Sequence, residues 1–361
     1  MPILSRTLAA IAVVTVAIFG SDRPSLAREY DRFSQWCENR DTLDEDTRHT
    51  VEQLLQIART TECDRAEANL LASEELNLSA REIEALAPIS SLTHLTRLDI
   101  SLNEIDNLEP ISSLNQLETL LASDNDIEDL TPLRTLTQLR KLNLDRNRIR
   151  RLQGIEALTN LQVLFLNQNR IANLEPISSL TGITTFFAND NRIRNLDPLR
   201  PLVSLTTLSL NDNRIRNLNP LSEMSEMYEL HLDDNRIEKV EGLSDMALLN
   251  ELYLRDNRIE NIESLSSLVG LTELFISDND ISRVSPILGM TSLNWVDFHG
   301  NEIENIEAIA PMTTLVRIIL TDNPIVDRAA DIECPVSPPA TCYFGEEFVP
   351  EPPPNPKLET R

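Results

Sequence analysis

No familiar catalytic signature runs through this chain: GxSxG, HExxH, CxxC and a glycine-rich phosphate loop are all missing. Each would seat a nucleophile, a metal or a phosphate, so the commonest routes to hydrolysis, metal catalysis, nucleotide binding and thiol redox chemistry lack their carriers. Histidine is nearly absent, with only His49, His94, His231 and His299. His49 falls in a helical stretch near the start and His94 in a turn. His231 and His299 lie three repeat units apart, about 14 Å at the spacing of adjacent strands, too far to share a metal. No enzymatic activity, cofactor or metal is therefore expected. Positive charge is scarce as well, with 32 Lys+Arg against 58 Asp+Glu and a formal net charge of −26. Such a surface repels phosphate backbones, so nucleic acid is not an expected partner. Aromatic residues make up 4% of the chain, which gives weight to any place where they gather.

Long apolar runs are equally few. The run from Leu8 to Phe19 is about a dozen residues, short of the roughly 20 that a membrane span needs. Arg6 precedes it and Ser25-Leu26-Ala27 follows, so residues 1–27 read as a cleaved export signal, leaving a secreted or periplasmic chain with no membrane span. Four cysteines in an exported chain suggest two disulfides. Cys37 and Cys63 precede the repeats described next, and Cys334 and Cys342 follow them. Twelve stacked coils put the two groups roughly 50 Å apart, whereas a disulfide needs Cα atoms within about 7 Å. Cys37 should therefore pair with Cys63, and Cys334 with Cys342.

What the chain has in abundance is periodicity. Asparagine recurs every 22 residues at Asn103, Asn125, Asn147, Asn169, Asn191, Asn213, Asn235, Asn257, Asn279, Asn301 and Asn323. One period earlier the frame falls on Arg81, in an atypical first coil that brings the expected number to twelve. Apolar positions keep fixed offsets around each asparagine, as Leu95, Leu98, Ile100, Ile105, Leu108, Ile111 and Leu114 do around Asn103. The stretch Leu98–Ile100 alternates like a strand. Proline occupies one column, at Pro88, Pro110, Pro132, Pro176, Pro198, Pro220 and Pro286, where its fixed φ and missing N–H suit the start of a short 3₁₀ turn. The asparagine amides are expected to bond backbone groups of the turn leaving each strand, a structural role.

The pattern LxxLxLxxNxIxxLxPLxxL, exemplified from Leu139 to Ile149, resembles the 22-residue leucine-rich repeats of the bacterial internalin type. The resemblance implies an α/β repeat solenoid: a curved right-handed superhelix with a parallel sheet on its concave face, 3₁₀ and irregular structure on its convex side, and protein recognition on the concave face. No LPxTG-like motif or apolar tail follows the repeats, unlike wall-anchored internalins. The expected organisation is a signal peptide at 1–27, a disulfide-bonded helical cap at 28–75, the solenoid at 76–326, a disulfide-bonded C-terminal cap at 327–344 and a disordered Pro/Glu tail at 345–361. In the first cap, Val51, Leu54, Leu55 and Ile57 have helical spacing behind Asp44, Glu45 and Asp46, and Tyr30, Phe33 and Trp36 look like packing residues.

Strand positions facing away from the interior are not dictated by packing, so they are where a binding site would be written. Four residues before each asparagine the column contains Phe165, Phe187, His231, Tyr253, Phe275 and Asp297, with Trp295 two positions before Asp297. Beside it runs Glu229, Glu251 and Glu273. These ten residues form the candidate face: exposed aromatic anchors edged by carboxylates, suited to a protein partner with a basic and partly apolar surface. A glycan is the alternative ligand, a structural surface component a third reading, and rings that merely stack to stabilise the sheet the plainer account. Asp190, Asp212, Asp234, Asp256 and Asp278 precede the asparagines, while Arg148, Arg170, Arg192, Arg214, Arg236 and Arg258 follow them. Salt links between these two columns are the expectation. A basic island from Arg134 to Arg170 reads as a solvated face or a contact for an anionic partner.

Overall fold

The computed structural model describes residues 30–325 and 341–344. The expected export signal, the Pro/Glu tail and Cys334 lie outside these residues. Thirteen parallel strands form one sheet whose order follows the chain, from β1 (Glu75–Asn77) to β12 (Arg317–Ile319) and β13 (Thr341–Tyr343). From β1 to β12 each strand pairs with the next at a fixed offset of 22 residues: Leu164 lies beside Phe186, and Phe186 beside Leu208. The repeat count predicts twelve strands. The thirteenth comes from the segment expected to cap the far end, and it sets Cys342 beside Ile318.

The seven apolar positions of each coil fill a single continuous core. Leu95, Leu98, Ile100, Ile105, Leu108, Ile111 and Leu114 are all fully buried, and equivalent residues repeat the arrangement to Ile325. Strand and return leg are joined by a 3₁₀ turn on the far side, and the proline column stands at its first or second residue, as Pro110 does in Glu109–Ser113 and Pro198 in Asp197–Leu199. A second asparagine column, not singled out by the sequence reading, caps these turns. Asn107, Asn173 and Asn195 each accept the amide N–H two residues on, at 2.9–3.0 Å.

The 22-residue asparagines bridge neighbouring coils. Asn213 donates to the carbonyl of Ala188 in the preceding coil at 2.9 Å and to those of Leu210 and Asn211 in its own, while its Oδ1 accepts the amide of Ile193 at 2.9 Å. The same set recurs from Asn103 to Asn323. The residue just before each asparagine takes a left-handed backbone conformation, with φ of 50–58° from Leu102 to Asp278 and at Asp322, and 62° at Gly300. Asp and Asn tolerate that region better than most side chains. Backbone geometry, then, accounts for the aspartate column at this position.

Three helices close the first coil: α1 (Phe33–Glu38), α2 (Glu45–Ala58) and α3 (Cys63–Leu71). Asp44 caps α2, its carboxylate accepting the Thr47 amide at 2.9 Å, and Val51, Leu54 and Leu55 face the core. Phe33 and Trp36 are buried, with Tyr30 packed edge-on against Trp36. Cys37 is bonded to Cys63. Cys342 is also disulfide-bonded, and its expected partner Cys334 is not among the described residues. No helix of the described residues is long and apolar enough to cross a membrane.

Replacing Asn213 by Ala removes one of two donors from each of three carbonyls, those of Ala188, Leu210 and Asn211, and the sole acceptor from the Ile193 amide. A loss of about 2–4 kcal/mol is expected by chemical denaturation, against less than about 0.5 kcal/mol for the exposed Asn160→Ala; equal losses would show that the ladder is dispensable.

Candidate functional site

In β5 (Val163–Phe165), Leu164 enters the core while Val163 and Phe165 leave on the opposite side, and the fixed register repeats that choice in every coil. Phe165, Phe187, Ser209, His231, Tyr253, Phe275 and Asp297 therefore stand side by side in one row down the concave face. None of the rings belongs to the interior cluster.

The expected exposure of these aromatics is corrected. Phe165 is 7% exposed, Tyr253 3%, Phe187 2%, and Phe275 and His231 0%. Strands about 4.8 Å apart bring successive rings to stacking distance, so each ring is covered by its neighbour. His231 stacks on Tyr253 at 4.2 Å between ring centres, Tyr253 on Phe275 at 4.8 Å, and Phe165 on Phe187 at 5.4 Å. Trp295 meets Phe275 edge-on at 5.0 Å. Cations complete the cover. Arg255 lies 4.6 Å from the Phe275 ring centre and 5.5 Å from that of Tyr253, Arg317 lies over Trp295, and Lys141 over Phe165. The sequence reading missed Arg255, whose position two residues before the asparagine holds small or acidic residues in most coils.

Two polar rows flank the rings. On one side Glu229, Glu251 and Glu273 sit in direct register, half-buried. Burial, and then the Glu251 carboxylate, push both Glu229 and Glu273 above the usual carboxylate range. Tyr253 donates its hydroxyl proton to Glu251 at 3.0 Å. On the other side Asp145, Asn167, Asn189, Asn211 and Asp233 form a further ladder, each accepting through Oδ1 the amide N–H of its counterpart one coil on, at 2.7–2.8 Å. Burial raises Asp145 and Asp233 to about 6. Asp297, at the end of the ring row, is buried and accepts the His299 amide at 3.0 Å. Burial, then the nearby Arg255 charge, lowers His231 to about 4, so its imidazole is neutral and serves as one more flat ring.

The expected salt links between the aspartate and arginine columns are also corrected. Burial and the like charges of Asp234, Asp190 and Asp256 raise Asp212 to about 6, with no arginine among its influences. Charge pairs do form between coils within a column where the sign changes, with Arg148 2.7 Å from Asp126, Arg146 on Asp124 and Arg140 3.8 Å from Glu118. Within the basic island Arg140, Arg146 and Arg148 are thus paired with the preceding coil.

These features define a leucine-rich-repeat solenoid. Sequence profiles described as leucine-rich repeats in two copies match residues 115–157 and 159–201, and another described as a leucine-rich repeat matches 225–281. A search of curated proteins returned no match. Among solved structures, the internalin InlF of Listeria monocytogenes is similar at 26% identity and a TM-score of 0.72, over 76% of this chain and 82% of that one. A leucine-rich-repeat protein of Leptospira interrogans is 21% identical with a TM-score of 0.58, over 73% of this chain and 79% of that one. The ectodomain of the plant membrane receptor kinase GASSHO1/SCHENGEN3 of Arabidopsis thaliana, in complex with Casparian strip integrity factor 2, is 17% identical with a TM-score of 0.57, over 72% of this chain and 39% of that one. The last two likenesses describe the fold alone.

Because Phe275 is fully covered, Phe275→Ala should destabilise the chain by about 3 kcal/mol in urea; an unchanged midpoint would mean the ring row is not packed as described. His231→Phe tests its centre. A histidine held near 4 when folded, against 6.5 for the free group, leaves the unfolded chain the better proton acceptor between those values. Its neutral burial stabilises fully above about pH 6.5 and is lost as pH falls toward 4. The variant should gain on the parent across that window, by up to ~3 kcal/mol. A difference in melting temperature that stays constant from pH 7 to pH 4.5 would contradict this.

Proposed function

We propose that this chain is an exported, non-enzymatic recognition protein that binds a protein partner on its concave face, through the glutamate row over the stacked rings. The observation that carries the reading is the row itself. Glu229, Glu251 and Glu273 are held in register about one strand spacing apart, half-buried, with Glu229 and Glu273 pushed upward by burial and then by the Glu251 carboxylate between them. Apart from the Tyr253 hydroxyl bond to Glu251, such a stack of like charges adds repulsion to the sheet. Lysine or arginine side chains from a partner would relieve the repulsion and be steered toward it by the surrounding negative charge. The ring row supplies a rigid floor, and Trp295, half-buried at its edge, supplies apolar contact.

Leucine-rich-repeat solenoids present extended concave surfaces for binding, and the likeness to a Listeria internalin favours the same use here. The Cys37–Cys63 disulfide favours an oxidising, extracytoplasmic location. The ring faces are covered by one another, which favours a protein over a glycan at this face, since a sugar would need an open ring to stack on.

The triple variant Glu229→Gln, Glu251→Gln, Glu273→Gln should melt no lower than the parent, because it removes repulsion. It should lose salt-sensitive capture of a protein from the native extracellular fraction. Retained capture, or capture that survives protease treatment of that fraction, would overturn the proposal.

A further inference from the structure

We infer that the edge of the solenoid where the strands end carries a second binding surface, a row of arginines that holds a linear acidic polysaccharide. Arg148, Arg170, Arg192, Arg214, Arg236 and Arg258 occupy one position in six successive coils, all in the turn that follows the strand. Arg148 pairs with Asp126. Beyond it, no carboxylate of the described residues comes within 4 Å of the other five, which are exposed apart from a half-buried Arg214. Between the coils of Asn191 and Asn235 the row doubles, and Arg194, Arg214, Arg216 and Arg236 alone line a cleft of about 370 Å³. Four arginines line one space in a chain of net charge −26 that has acidic groups to spare, and none of the four forms a salt bridge among the described residues.

Spacing identifies the ligand. The row offers one fixed cation per coil at a repeat of ~4.8 Å. An extended acidic peptide shows side chains on one side only every second residue, ~6.6 Å, and a duplex strand shows phosphates every ~3.4 Å, so both fall out of step within a few coils. A polymer of uronic or sulfated sugars carries its charges on rigid rings whose repeat is about one coil wide. It keeps step along the row, and planar guanidiniums pair in bidentate fashion with carboxylate or sulfate. Asp190, Asp212, Asp234 and Asp256, none of them in a salt bridge among the described residues, occupy the position two residues before Arg192, Arg214, Arg236 and Arg258 in the same coils. Their charge disfavours a broad polyanion such as a duplex, which would have to cover them.

The test is calorimetric titration of the full chain with an oligogalacturonate and a heparin-derived oligosaccharide of about ten sugars. Binding is expected at low salt, weakening steeply as salt rises. The variant Arg194→Gln, Arg214→Gln, Arg216→Gln, Arg236→Gln should melt as the parent does and bind at least roughly tenfold more weakly, while the triple glutamine variant of the concave row binds as the parent does. Affinity for only one oligosaccharide names the charged group, carboxylate or sulfate, and supports the proposal. Failure of both to bind, equal affinity of the arginine variant, or equal affinity for an acidic peptide or a DNA duplex of matched charge would overturn it, and none of these outcomes bears on the concave face.

Discussion

One side-chain amide per coil holds this molecule in register. Asn125, Asn147, Asn169 and their successors each tie two coils together, donating to carbonyls in both and accepting the isoleucine amide that opens the previous return leg. A strand of three residues offers too few backbone bonds to fix its neighbour alone, and the convex side has only short 3₁₀ turns. The asparagine supplies the missing bonds at the point where the chain turns, which forces the left-handed residue before it and so the run of aspartates there. The apolar interior gives the coils their cohesion. The amides give them a common angle.

That common angle turns sequence columns into surfaces, for neutral and charged residues alike. Rings at one offset become a stack from His231 to Phe275, closed over by Arg255 and Trp295. Glutamates at another offset become a row of mutually repelling carboxylates, and arginines at a third become a ribbon of positive charge. Stacked rings repay their own alignment through packing. Aligned like charges do not, which separates the residues that build the solenoid from those that give it something to hold.

The periodic features were legible in the sequence because they need no knowledge of distance: the 22-residue unit, the buried positions, the proline turns, the asparagine role, the packing of Phe33 and Trp36 and the Cys37–Cys63 bond. Direction was legible too, since Phe165 between two core leucines must point the other way. Burial of that row was not. Exposure depends on how closely neighbouring strands bring the rings together and on which cations lie over them, and a pattern of offsets carries neither quantity. The expected salt links between the aspartate and arginine columns failed for a related reason: an offset pattern shows that two columns run along the same coils but not whether their charged ends meet, and the charges acting on Asp212 are the other aspartates of its own column. The ladder from Asp145 to Asp233 was not singled out in the sequence, because Asp and Asn are mixed in that column and only the fold shows that each accepts the amide of its counterpart one coil on.

Native-state hydrogen exchange tests most directly whether side-chain amides set the register. The amide hydrogens of Ile149, Ile171, Ile193 and Ile215, donated to asparagine oxygens rather than to any backbone carbonyl, should exchange as slowly as those within the strands, requiring opening of the coils. Exchange at the rate of exposed turn amides would show that these bonds do not persist in solution, and the alignment of every surface column would need another cause.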